Sequence, residues 1–200
     1  MMNAKRRPAM LSIPPHFVIL PETAAQAYSF PAEQVAMMER EFKLYGFTMH
    51  YLRLLAEDVT EEQMTDIPAP GLNHPAWFIG HLAVCADFVP KLLSQPTICP
   101  PEWDALFAPG SVPTTNRSRY PSKAELLAKN EEAFVRNPKL IAEASERRLA
   151  MPHGIEYFTP LYPTIGDMIA HLMATHPAWH LGQFSTWRRL HGLKGVMAFP

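Results

Sequence analysis

Proline placement constrains this chain more than any other feature. Its 200 residues hold 21 prolines, about twice their usual share. Proline lacks a backbone N–H, and its ring collides with the carbonyl four residues earlier, so helix interiors exclude it. None occurs between Ala32 and Ile67 or between Ser122 and Asn137. Long helices fit in those two gaps.

Four helical segments follow from this punctuation. The first runs from Ala32 to about Glu57, with Val35, Met38, Phe42, Tyr45, Met49 and Leu52 at three- and four-residue steps. A turn at Thr60-Glu61-Glu62-Gln63 has capping-box form. The second segment opens at Asn73 with Pro75 in its first turn, and carries Trp77, Phe78, His81, Leu82, Cys85, Phe88 and Leu92 along one face. The third opens on a capping box, Ser122 to Glu125, and continues to about Arg148, with a break or kink predicted at Asn137-Pro138. The fourth opens at Thr164, gains from Asp167 in its first turn, and runs to about His191, where Gly192 is a C′ stop. Strand signals are weak throughout. The expected fold is all-α, an antiparallel four-helix bundle over residues 32–200, behind an irregular N-terminal extension of residues 1–31.

The connection from Ser94 to Pro121 is too long and too proline-rich for a simple linker, and such loops commonly serve as lids or binding loops. Trp103, Leu106 and Phe107 let it fold back on the bundle, while Arg117, Arg119 and Tyr120 offer polar groups to an anionic substrate. A surface excursion packed by its own aromatics is equally compatible.

Charge excludes some partners. The net charge is −1 with acidic and basic residues interleaved, which argues against nucleic acid. No stretch approaches the roughly 18 apolar residues of a membrane span, and early prolines interrupt any secretory leader. Two cysteines make no disulfide framework, so a reducing cytoplasm is expected. Cys85 falls in the apolar helical pattern and reads as a buried thiol, while Cys99 lies in a loop that solvent can reach.

The chemistry concentrates in histidine. His176 and His180 lie four apart on an apolar helical stripe, so both imidazoles can reach one ion. His81 supplies a third from another segment, and three protein ligands with an open position form the pattern of a catalytic metal. A lone buried histidine is more often a hydrogen-bonded core residue, but two side by side need partners that a metal satisfies at once. His74 lies roughly 10.5 Å along the helix from His81 and reads as a residue of the helix start. His171 is turned roughly 140° from His176 and is expected to point elsewhere. His16, His50, His153 and His191 have no partner at metal spacing. Asp87 is off the His81 face, and no general base stands out. Gln183, one turn past His180, is placed to orient a ligand or substrate. The chain also echoes itself, His74-Pro-Ala-Trp-Phe-Ile-Gly-His81 against His176-Pro-Ala-Trp-His-Leu-Gly-Gln183. The candidate ligands do not superpose on that echo.

Trp-x-x-Gly-His-Leu on the second segment and His-x-x-x-His-x-Gly-Gln followed by Trp187-Arg188-Arg189 on the fourth resemble the DinB/YfiT-like superfamily. The resemblance implies an up-down-down-up bundle with a divalent metal, nickel or zinc, held by His81, His176 and His180. It also implies a homodimer acting on a small molecule, most often by thiol-dependent S-transferase chemistry with a low-molecular-weight thiol. A metal-dependent hydrolase and a non-catalytic metal- or ligand-binding module are the alternatives. Pro177, directly after His176, is expected to make the helix kink or restart and to turn His176 relative to His180.

Overall fold

The computed structural model describes residues 32–197, with side chains from Met38 onward; the extension expected over residues 1–31 lies outside them. The described residues hold α1 (Ala32–Ala56), α2 (Pro75–Ala86), α3 (Phe88–Leu92), α4 (Trp103–Phe107), α5 (Lys123–Glu143), α6 (Glu146–Leu149), α7 (Ile165–Met173) and α8 (Thr175–Leu190). Short 3₁₀ turns cover Glu62–Thr65, Arg117–Arg119 and Glu156–Phe158. Among the described residues there is no strand, only an isolated bridge between Pro152 and Thr164. The described residues are all-α.

Proline decides where two of the expected segments divide. Pro90 has no N–H for the Ala86 carbonyl, and α2 ends at Ala86; Pro177 has none for Met173, and α7 ends at Met173. Each break falls four residues before its proline. The carbonyl freed at Ala86 is recovered by Asn137, whose Nδ2 donates to it at 2.8 Å. The third segment corrects the expectation. Helix α5 runs through Pro138, and the break comes at Ala144, after which Ser145 caps α6. Asn137 and Ile141, flanking Pro138, are both buried, and that packing holds the helix through the missing hydrogen bond.

The other local signals appear as hydrogen bonds. Ser122/Glu125 and Thr164/Asp167 form capping boxes, and Thr60 and Gln63 exchange backbone and side-chain bonds. Gly192 has φ 71°, and the following N–H of Leu193 donates to the Arg188 carbonyl at 3.0 Å, closing α8 as a Schellman turn. Arg188 is buried; it donates to the Leu55 carbonyl and pairs with Asp58, tying the end of α8 to the end of α1.

Helix α2 is the centre of the packing, with every residue but Val84 buried. It packs against α4, α5 and α8, as expected of a helix apolar on all sides. Phe78 and Ile79 lie in one core with Leu52, Leu55, Leu126, Ile169, Phe184 and Trp187.

The long connection folds back along α2 in antiparallel order. Asp87 accepts from the N–H groups of Ile98 (2.9 Å) and Cys99 (2.8 Å). His81 meets the Phe107 carbonyl, Trp77 Nε1 donates to Ser111, and His74 meets the Thr114 carbonyl. The Phe107 ring lies so close to Gly80 that a Cβ there would stand 2.4 Å from it. Trp103, Phe107 and Tyr120 are buried. Arg117 is committed to Glu61 and the Tyr120 carbonyl. Of the two arginines expected to meet an anion, only Arg119 stays exposed without such a tie to the fold.

Candidate metal centre

Helices α2 and α8 bring three imidazoles together. Ring centroids are 4.5 Å apart for His81 and His180, 4.7 Å for His176 and His180, and 5.1 Å for His81 and His176. The Nε2 atoms of His81 and His176 approach to 3.2 Å. The interruption expected of Pro177 occurs, but upstream of His176 and not at it. The chain breaks at Ala174 (φ −117°, ψ −72°), before His176, so His176 and His180 stay on one helix and on one face.

Backbone and amide groups set the imidazoles. The Phe107 carbonyl can only accept, so His81 Nδ1, 2.6 Å away, carries the proton and Nε2 keeps its lone pair. His180 Nδ1 lies 3.0 Å from Gln183 Oε1, a pairing in which Nδ1 donates to the amide oxygen. Gln183 is exposed, so its visible action is on His180. Trp77 stacks on His81, with centroids 4.4 Å apart and planes within 10°. His176 Nδ1 is buried without a protein hydrogen-bond partner.

Burial pulls the His81 imidazole down to about 4, against the opposing effect of the Phe107 carbonyl. It pulls His176 to about 3, with further depression from His180, His81 and His171. His180 is lowered by burial too. All three are therefore neutral near pH 7, the form that binds metal. The spacing also fits. Two imidazole nitrogens on one tetrahedral ion, with metal–nitrogen bonds of about 2.0–2.1 Å, stand roughly 3.3 Å apart. The observed 3.2 Å lies close to that edge.

A further donor stands beside them. Cys85 is a free, buried thiol whose Sγ lies 3.6 Å from His81 Nε2. The ligand atoms of His81, Cys85 and His176 all fall within 4.8 Å of one another. Burial pushes this thiol up to about 12. The sequence carried a signal for it: His81-x-x-x-Cys85 has the same helical spacing as His176-x-x-x-His180.

His171 is a correction. Its ring centroid is 5.6 Å from that of His176, and it stacks on Tyr162 at 4.2 Å. The 3.6-residue period fails here because the Ala174 break interrupts the helix between the two residues.

The remaining candidates serve the fold. His74 caps α2: its Nδ1 accepts from Trp77 N–H, its Nε2–H donates to the Thr114 carbonyl, and burial lowers it to about 4. Asp87 anchors the long connection and is no base for the cluster. His153 is held between the Tyr162 carbonyl and Ile155 N–H, and His191 stacks on Trp187. Cys99 is partly buried, with its thiol pushed up to about 12 by burial.

A family model described as the DinB superfamily matches residues 45–184, a span that contains every residue of the cluster. No curated protein matches the chain.

Proposed function

The chain belongs to the DinB superfamily, and from that premise and its histidine cluster we propose a divalent-metal-dependent enzyme of thiol-dependent S-transferase type. The observation that carries this reading is the 3.2 Å approach of His81 Nε2 and His176 Nε2 from two different helices, with the His180 ring against both. In this reading His81, His176 and His180 hold nickel or zinc, which three imidazoles suit. A divalent ion, when bound, supplies the Lewis acidity that favours the thiolate of an incoming low-molecular-weight thiol over its neutral form.

The chain's own residues prepare the centre. The Phe107 carbonyl and the Gln183 amide hold the Nδ1 atoms of His81 and His180, and His81 turns its Nε2 to that of His176. The stacked Trp77 ring covers one face of His81, and Phe78, itself stacked on Phe184, lies beside His180. These walls keep the rings neutral and restrict water. We further read α1, α2 with α3, α5, and α7 with α8 as the four segments of an up-down-down-up bundle, acting as a cytoplasmic homodimer on a small molecule.

Elemental analysis of the purified protein and of His81→Ala and His176→Ala tests this. The expected result is about one divalent ion per chain, lost in both variants. No metal in the wild type, even after incubation with nickel or zinc, would overturn the reading.

A further inference from the structure

We propose that a stripe on the outer side of α1, formed by Leu44, Phe47, Tyr51 and Leu54, is a homodimer interface. It packs antiparallel against the same stripe of a second copy of the chain. The inference rests on the homodimer clause of the reading above, to which it gives a surface, and is independent of the metal.

After the non-helical residue Met38, α1 continues without interruption to Ala56. Its inner side buries Tyr45, Met49, Leu52 and Leu55 in the core. A surface helix carries polar residues on the opposite side, but here Leu44 is 51% exposed and Phe47 42%. Tyr51 and Leu54 are half-buried, and the Phe47 and Tyr51 rings stack with centroids 6.3 Å apart. Steps of three, four and three residues set the four side chains along one line, the spacing of a helix–helix seam. Single exposed apolar residues are ordinary, whereas a contiguous apolar patch marks an interaction surface.

The seam reads the same from either end. Leu44 and Leu54 lie five residues to either side of Met49, and Phe47 and Tyr51 lie two to either side. With a two-fold axis opposite Met49, Leu44 meets Leu54 of the second copy and Phe47 meets its Tyr51. Each contact then occurs twice. An isologous interface demands this property, that residue i meets j while j meets i, and an unrelated partner does not.

Charge selects the same direction. Arg40 precedes Leu44 by four residues and Glu57 follows Leu54 by three; both are exposed. They stand about 25 Å apart along the helix at 1.5 Å per residue. Neither forms an ion pair among the described residues, whereas Lys43 is committed to Glu39 and Arg53 to Glu131 of α5. Antiparallel packing brings the Arg40 end of one copy to the Glu57 end of the other, twice per dimer. Parallel packing sets like charges against each other. Because His81, His176 and His180 lie on α2 and α8, a dimer through α1 takes no residue from the histidine cluster.

Sedimentation velocity on the full-length protein over a dilution series reads the monomer–dimer equilibrium. Wild type is expected to dimerise reversibly. Phe47→Glu, at a side chain that already meets solvent, should weaken the dimer at least about tenfold while its helical circular dichroism stays unchanged. Arg40→Glu should weaken it by about twofold to fivefold. Adding Glu57→Arg to that variant should restore the affinity, since the reversed charges still face each other across the axis. Leu161→Glu, at an exposed apolar residue away from α1, should dimerise as wild type does. A dimer indifferent to Phe47→Glu would overturn this interface and leave the homodimer reading standing. A wild type that stays monomeric would overturn both, and would hand the stripe to a different partner. Failure of the reversed pair to recover affinity would overturn the antiparallel register, even if Phe47→Glu does not fold.

Discussion

His74 and His176 each precede Pro-Ala-Trp, and the two stretches of eight residues they begin are identical at five positions. The chain reaches His74 from a loop, so the histidine becomes an N-cap and Pro75 fills the first helical position, where no N–H is needed. It reaches His176 from α7, so Pro177 forces a break four residues upstream and leaves His176 inside α8. Trp77 is 6% exposed and stacked on His81, whereas Trp179 is 62% exposed. Gly80 lies under the Phe107 ring, while a Cβ at Gly182 would meet nothing within 4 Å. What precedes and covers a short motif decides whether its histidine builds the fold or faces a partner histidine.

The tryptophans give the largest expected contrast. Trp77→Ala removes a buried ring and its bond to Ser111, and should cost about 3–5 kcal/mol. Trp179→Ala should stay within about 0.5 kcal/mol. Urea denaturation of both variants measures the difference, and equal losses would break the comparison.

The histidines differ in their pH windows. The folded-state pKa of His74 is lowered from 6.5 to about 4 by burial, so the unfolded chain binds the extra proton. The resulting stability, on the order of 3 kcal/mol, is present above the unfolded pKa and is lost as pH falls toward the folded value. His74→Asn keeps a capping acceptor and should flatten the stability curve between pH 6.5 and about 4. His176→Asn should flatten it over a window reaching about pH 3. Thermal melts across this range in metal-free buffer test both, and superimposable His74→Asn and wild-type curves would contradict the burial argument.

The glycines give the smallest contrast, of opposite sign. Gly80→Ala drives a methyl into the Phe107 ring and should destabilise by about 1–3 kcal/mol. Gly182→Ala, in open space within a helix, should stabilise by about 0.5–1 kcal/mol. Chemical denaturation of the pair sharpens the comparison at one atom per site, and two shifts of the same sign would remove it.

Local chemistry made much of this legible beforehand. Proline-free stretches located α1 and α5, and Ser122/Glu125, Thr164/Asp167 and Gly192 marked helix ends through bonds within a few residues of themselves. The convergence of His81 with His176 and His180 followed from apolar faces that had to meet. What stayed hidden depended on backbone partners or on phase. The Phe107 carbonyl that orients His81 belongs to a group every residue carries, so no side chain announces it. His171 was misplaced because an unbroken helix was extrapolated through Ala174. Cys85 was visible at its spacing, but an apolar stripe gives a thiol a sufficient reason to be there. Pro138 shows the limit of a local rule, since buried Asn137 and Ile141 hold the helix through it.

The excursion after α3 has a reading frame. Its ties pair residues 98 and 99, 107, 111 and 114 with residues 87, 81, 77 and 74 of the α2 strip, one set rising as the other falls. Extra residues ahead of Ile98 leave every later pairing in step. A single residue deleted between Cys99 and Phe107 shifts the following ties out of phase and draws the Phe107 carbonyl off His81. Length can vary at one end of this segment, while at the other the count of residues is itself part of the histidine cluster.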